Sequence, residues 1–79
     1  MRLDIISIKG KVLEAEVRSV NLKTKTGEIT ILNNHRPLVT LLEKCEVKIK
    51  RADGKDESVN INSGFLEMSP GNILTLLVD

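Results

Sequence analysis

An all-β fold is predicted for this chain, as a sandwich or barrel of short strands. Turn-forming residues recur at short intervals, and the runs between them are rich in Val, Ile, Leu and Thr. Within several runs apolar and polar residues alternate, as they do in strands with one buried and one wet face. No segment shows a sustained helical period. The turn signals are Gly10, Gly27, Asn33-Asn34, Asp53-Gly54, Ser63-Gly64 and Pro70-Gly71.

The first half of the chain contributes strands before and after one polar loop. Arg2 and Asp4 alternate with apolar residues at the start, and Val20 and Leu22 alternate with polar neighbours further on. A short strand with apolar residues at positions 29 and 31 follows the loop. Alternation of this kind predicts strands with one face in the core.

A tight corner is predicted immediately after that short strand. Asn33 and Asn34 can adopt left-handed backbone angles, and Pro37 restricts Arg36 to extended geometry. The segment therefore turns sharply between two strands, and His35 lies at its tip.

The second half of the chain is punctuated by two further turns. Residues 38–44 fit either a strand or a single helical turn, and we favour the strand. Residues 47–50 and 58–61 alternate clearly, and Asp53-Gly54 is expected to close them into a hairpin. Residues 69–72, Ser-Pro-Gly-Asn, fit a type II turn, in which Pro presets one angle and Gly supplies the positive one.

The run Phe65-Leu66-Glu67-Met68 does not follow a simple pattern. Alternation puts Phe65 and Glu67 on one face, and Leu66 and Met68 on the other. Either Phe65 or Glu67 then has an unusual environment, or a bulge intervenes near residues 63–64. Contact with a partner at an edge and simple exposure both remain open.

The size and composition predict one small domain, residues 1–79, with an aliphatic core. The chain has 79 residues, and Phe65 is its only aromatic residue. A domain of this size buries a limited core, so even a modest partner surface can matter for its stability. No apolar run approaches the length that spans a bilayer.

The charge is balanced, with 12 Lys and Arg against 11 Asp and Glu and a net charge of +1. Such a chain has no global field that would attract nucleic acid or an acidic surface. One basic cluster, interleaved with acidic residues, is interpreted as a solvated hairpin tip. It contains Lys48, Lys50, Arg51 and Lys55.

No catalytic, metal or cofactor site is predicted. His35 is the only histidine and Cys45 the only thiol, so an internal disulfide is excluded. Nothing marks the third group that a Cys–His nucleophilic pair requires, and the donors do not converge on an ion. Phosphate-binding glycine motifs are absent. We expect Cys45 to pack as a small buried hydrophobe.

Three segments resemble the epsilon subunit of F-type ATP synthases. Residues 27–40, GEITILNNHRPLVT, are similar to the family pattern Gly-Glu-(Ile/Phe)-Gly-(Ile/Val)-Leu-Pro-x-His-x-Pro-Leu. Residues 63–68, SGFLEM, resemble Gly-Gly-Phe-Leu-Glu-Val, and residues 72–79, NILTLLVD, resemble Asn-x-Val-Thr-Val-Leu-Ala-Asp. The order and spacing of the three make the resemblance specific, and it covers nearly the whole chain.

The resemblance implies the N-terminal domain of that subunit, a flattened β-sandwich of mostly antiparallel strands. The C-terminal helical hairpin of the family is absent from these residues. The chain departs from the family at four positions, where Thr30, Cys45 and Ser63 replace Gly and Asn33 replaces Pro.

The implied function is that of a non-catalytic central-stalk (rotor) component of a proton-translocating ATP synthase. Its partners would be the gamma subunit and the membrane c-ring, and it would lie peripherally at the cytoplasmic face of a bacterial plasma membrane. The family assigns the residue matching Glu28 to the surface that faces the ring loops, and the one matching His35 to the gamma side. Arg36, beside His35, is a further candidate contact; a hydrogen-bonded corner histidine is an equally good interpretation of His35.

The alternative hypothesis is a small all-β module that binds single-stranded nucleic acid. Such modules stack bases on aromatic side chains. Phe65 is the only candidate platform, and its run has the composition of a buried strand. The composition therefore disfavours this alternative.

Overall fold

The computed structural model describes residues 1–79 as eight β-strands without a helix. This confirms the all-β prediction, including the strand rather than the helical turn after the corner. No helix is present that could cross a bilayer. The strands are β1 (Arg2–Ser7), β2 (Gly10–Thr24), β3 (Gly27–Leu32), β4 (Leu38–Leu42), β5 (Cys45–Arg51), β6 (Asp56–Ile61), β7 (Gly64–Ser69) and β8 (Ile73–Val78).

The strands form two layers that share β2. The first layer runs β1-β8-β7-β4, and the first half of β2 pairs with β1. The second layer contains the second half of β2 between β3 and β5, with β6 at its edge. Only β1 and β8 pair in parallel, which confirms a mostly antiparallel sandwich.

Strand β2 passes from one layer to the other by bending sharply. Its 15 residues would extend about 50 Å if straight, whereas the longest dimension of the molecule is 27 Å. The register against β5 shifts between Val17 and Ser19, which is the irregularity that bends a strand and increases its twist. Because of this bend, one strand hydrogen-bonds to neighbours in both layers.

The core is aliphatic and lies between the two layers. Alternate residues of each strand point inward, as in Val47 and Ile49 of β5 or Leu74 and Leu76 of β8. No aromatic side chain belongs to the core, as the composition predicted. Its 15 members are Met1, Leu3, Ile5, Val17, Val20, Leu22, Ile31, Leu42, Val47, Ile49, Ile61, Leu66, Met68, Leu74 and Leu76.

The two predicted turns of the second half are present. Gly54, with φ 91°, closes the β5–β6 hairpin, and its N–H donates to the carbonyl of Arg51 at 2.9 Å. Gly71 has the positive φ, 93°, that a type II turn needs, and Asn72 follows it with φ 66°. The β7–β8 loop therefore uses two left-handed residues, which only Gly and Asn adopt readily.

The cations near the β5–β6 hairpin are partly neutralised by their neighbours. Lys50 Nζ lies 3.3 Å from the Asp56 carboxylate, and Arg51 Nε donates to Glu57 Oε1 at 2.6 Å. These pairs are solvent-exposed or half-buried, so they are individually weak. They agree with the interpretation of this segment as a solvated hairpin tip.

The conflict at Phe65 and Glu67 is resolved by exposure of Phe65. The register of β7 with both β4 and β8 is continuous, so no bulge intervenes. Leu66 and Met68 are buried, whereas Phe65 is 53% exposed. The expectation that Phe65 lies in a buried run was wrong, because a strand with one solvent face can carry apolar residues on both faces.

Candidate partner-binding surfaces

The predicted corner is exposed and carries His35 and Arg36 at the surface. Asn34 adopts the left-handed conformation, with φ 60°, whereas Asn33 does not. The N–H of His35 donates to the carbonyl of Leu32 at 3.2 Å, which closes the turn. His35 Nδ1 lies 2.8 Å from the carbonyl oxygen of Arg36, so this local bond orients the ring while its other edge remains free.

Two longer-range hydrogen bonds attach the corner to the sandwich. The amino nitrogen of Met1 donates to Asn33 Oδ1 at 2.7 Å, and the N–H of Asn34 donates to Asn72 Oδ1 at 2.7 Å. Sequence reasoning missed both contacts, because they join residues that are far apart in the chain. Asn33 stands where the resembling family has proline, which offers no side-chain acceptor.

Glu28 lies next to the β2–β3 turn and is exposed. Gly27 has φ 130°, a conformation that favours glycine. Thr24 is the only buried polar residue; its hydroxyl donates to the carbonyl of Gly27 and accepts from the N–H of Thr26, at 3.0 and 3.2 Å. The turn is thus built by its own residues, and it presents Glu28 at the start of β3.

The predicted contact residues do not form one site. Glu28 begins β3, and His35 and Arg36 follow its other end. Four strand positions, about 13 Å, already separate Glu28 from Leu32. The molecule therefore has two candidate contact regions at opposite ends, the corner (residues 32–36) and the hairpin end around Glu28.

A third candidate surface is an apolar row on the outer face of the first layer. Leu41, Phe65 and Leu77 are direct neighbours in register across β4, β7 and β8. They are 43%, 53% and 50% exposed. Together with Gly64 they line a shallow groove of about 400 Å³ near the hairpin end. Exposed apolar neighbours of this kind are typical of interaction surfaces.

Sequence reasoning did not identify this apolar row. Each member sits one position from a buried residue, so the runs look continuously apolar in the sequence. The sequence feature that could have revealed its exposure was Glu67, because a charged residue on the same face as Phe65 indicates that this face is exposed to solvent. The register that brings the three side chains together required the tertiary structure.

Ion pairing on the outer face of β1 and β2 lowers the pKa of Glu14. The side-chain hydrogen bond from Lys11, at 2.7 Å, is the main cause, and the nearby Arg2 guanidinium adds to it. A carboxyl group whose pKa is lowered in the folded state contributes to stability at pH values above its ordinary pKa of 4.5. This contribution is lost as the pH falls through the lowered pKa.

Replacing Lys11 should therefore raise the pKa of Glu14. We expect Lys11→Ala to move the midpoint of a carboxyl NMR titration of Glu14 towards its ordinary value, because the first cause of the shift is removed. Lys9→Ala, two residues away and without an ion pair to Glu14, is the control. Identical Glu14 midpoints in the Lys11→Ala variant and the parent chain would contradict this assignment.

Cys45 is half-buried rather than fully buried, and it packs against the core. The N–H of Lys23 lies 3.5 Å from its Sγ, whereas His35 has its own partner in the corner. Cys45 and His35 therefore have different hydrogen-bond partners. No group of three or more His, Cys, Asp or Glu side chains converges.

The architecture is that of a β-sandwich domain with exposed turns at both ends. The chain belongs to the family of ATP synthase delta/epsilon chain β-sandwich domains, whose pattern matches residues 1–79. It is 35% identical over its full length to an ATP synthase epsilon chain of Bordetella petrii, and 34% identical to one of Acinetobacter baylyi. It covers 55% and 56% of these two proteins, so it spans about half the length of the relatives it matches.

Solved structures support the same fold. The chain superimposes with a TM-score of 0.89 on a chain of the Euglena gracilis mitochondrial ATP synthase, at 21% identity, covering 96% of this chain and 48% of that one. For a chain from the central stalk and c-ring of the Tetrahymena thermophila enzyme the TM-score is 0.84 at 14% identity, covering 99% and 62%. At these identities the likeness establishes the fold alone.

Proposed function

We propose that residues 1–79 form a non-catalytic rotor domain in the central stalk of a proton-translocating F-type ATP synthase. The domain would link the gamma subunit to the c-ring, so that rotation reaches the catalytic head without slippage. The observation that carries this proposal is the match of the whole chain to the delta/epsilon β-sandwich family. The relatives named as epsilon chains are bacterial, which supports a place at the cytoplasmic face of a bacterial plasma membrane.

Two candidate contact regions at opposite ends of the domain suit an element that transmits rotation between two partners. The corner and the hairpin end around Glu28 lie at opposite ends of β3, and the same strands connect both. Close-packed aliphatic interiors deform little and transmit strain. A torque applied at one end would therefore reach the other without much internal compliance.

The contacts are assigned to the partners by their chemistry and by the family resemblance. The gamma subunit would cover the corner, with His35 and Arg36, and would extend along the outer face of the first layer to the apolar row. Glu28 would face the polar loops of the c-ring, where a carboxylate mainly sets register and association rate. Burial of the apolar row by gamma would account for its exposure in the isolated domain.

Charge reversal at Glu28 and truncation of His35 test the proposal. We expect Glu28→Lys to weaken binding to a c-ring complex, and His35→Ala to weaken binding to gamma, each by about tenfold, or about 1.4 kcal/mol. Arg36→Ala should act in the same direction as His35→Ala. Pull-down followed by titration with purified bacterial gamma and gamma–c-ring complexes measures these effects.

Lys55→Ala is the matched control, because it removes an exposed charge on the β5–β6 hairpin, a segment that the proposal assigns to neither partner. It should bind both partners as the parent chain does. All variants should keep the parent far-UV circular dichroism spectrum, since the replaced side chains are exposed. Parent affinity in both Glu28→Lys and His35→Ala would refute the assigned contacts.

A further inference from the structure

Glu28 does not pair with the lysine that lies directly opposite it. Lys23 is the register partner of Glu28 in the β2–β3 ladder, an arrangement that favours a cross-strand ion pair. Glu28 nevertheless takes part in none of the ion pairs of the structure. Its Oε2 instead accepts a hydrogen bond from Asn21 Nδ2 at 2.9 Å.

The amide of Asn21 is itself held by a second acceptor. Asn21 and Thr30 are register partners, and Asn21 Nδ2 lies 2.9 Å from Thr30 Oγ1. An amide nitrogen carries two N–H groups, so it can donate to both acceptors at once. The two bonds together restrict the Asn21 side chain and, through it, the Glu28 carboxylate.

We propose that Asn21, held by Thr30, is a positioning residue for Glu28. It fixes the carboxylate on the outer face of β3, where Glu28 takes part in no ion pair of the chain. This inference rests on the proposed function, in which Glu28 contacts the c-ring. A side chain that is already ordered loses less conformational freedom on binding, so Asn21 raises affinity without touching the partner.

Thr30 distinguishes this arrangement of side chains from the one expected in the resembling family. The resembling family usually has glycine at this position, and glycine offers no hydroxyl to the amide of Asn21. The hydroxyl also occupies the outer face between Glu28 and Leu32. The departure at Thr30 thus has a structural role within the chain.

The first test measures the Glu28 side chain in the isolated chain, without any partner. Three-bond NMR couplings about χ1 should report one dominant rotamer in the parent and averaged rotamers in Asn21→Ala. Thr30→Val, which removes the hydroxyl and keeps the branched shape, should fall between them. Asn60→Ala, an exposed asparagine on β6, should match the parent. Equal couplings in the parent and Asn21→Ala would overturn the proposal.

The second test is a double-mutant cycle on binding to a purified gamma–c-ring complex. Asn21→Ala should weaken binding on the order of fivefold, or about 1 kcal/mol, when Glu28 is present. In the Glu28→Gln background it should have little further effect. An equal loss in both backgrounds would overturn the proposal, because Asn21 would then act independently of Glu28.

The two tests separate this inference from the proposed function. If Glu28→Gln binds the complex as well as the parent, the c-ring contact is refuted, and the NMR couplings still decide whether Asn21 orders the carboxylate. If the couplings are averaged in the parent chain, positioning by Asn21 is refuted, whatever Glu28→Lys does to binding.

Discussion

Leu76→Ala is expected to lower the free energy of unfolding by about 2–5 kcal/mol. Leu76 is 0% exposed in the middle of β8, where it packs against the other aliphatic side chains of the core. Truncation removes buried methyl groups and leaves a cavity that a close-packed core fills only partly. For a domain whose total stability is of order 5–15 kcal/mol, this is a large fraction.

The neighbouring residue provides the matched control. Leu77 is 50% exposed on the opposite face of the same strand, so Leu77→Ala should change the free energy of unfolding by less than about 1 kcal/mol. It should instead weaken binding to gamma, because it shortens the apolar row. Urea denaturation followed by far-UV circular dichroism suits a chain without Trp or Tyr. Equal destabilisation by the two substitutions would contradict the placement of β8.

Gly64→Ala is expected to destabilise the sandwich by about 1–3 kcal/mol. A Cβ atom at Gly64 would lie 2.3 Å from the carbonyl oxygen of Leu77 and 3.1 Å from the Cα of Val78. Both obstacles are backbone atoms of β8, so they can give way only if the β7–β8 ladder moves. The glycine is needed for this close approach and not for a special turn angle.

Ser63→Ala is the control for Gly64→Ala in the same denaturation measurement. Ser63 is exposed and immediately precedes Gly64, and we expect it to change the free energy of unfolding by less than about 0.5 kcal/mol. The different surroundings of Ser63 and Gly64 also explain why the chain departs from the family at residue 63. The chain replaces the first glycine of the Gly-Gly pair and keeps the second, which is the one that the strand contact requires. Parent stability in Gly64→Ala would show that the two strands are less closely apposed.

The candidate surfaces were predictable to different degrees. Exposure of His35 followed from local turn chemistry and exposure of Glu28 from the family resemblance, and the structure agrees with both. The apolar row was not predictable, because its members come from three strands and meet only through the register. The hydrogen bonds that hold the corner, which Asn33 Oδ1 and Asn72 Oδ1 accept, were missed for the same reason. Whether Glu28, His35 and Arg36 contact partners stays a prediction until the binding measurements are made.

The sequence by itself determined the all-β class, the aliphatic core and the main turns. Each of these depends on local properties: alternation along a strand, the angles that Gly, Asn and Pro allow, and the absence of large aromatic side chains. The tertiary structure alone decided that β2 bends at Val17–Ser19 to serve both layers, that Phe65 faces solvent, and that Asn21 rather than Lys23 holds Glu28. These outcomes depend on strand order, register and side-chain rotamers, which arise from contacts between residues distant in the chain.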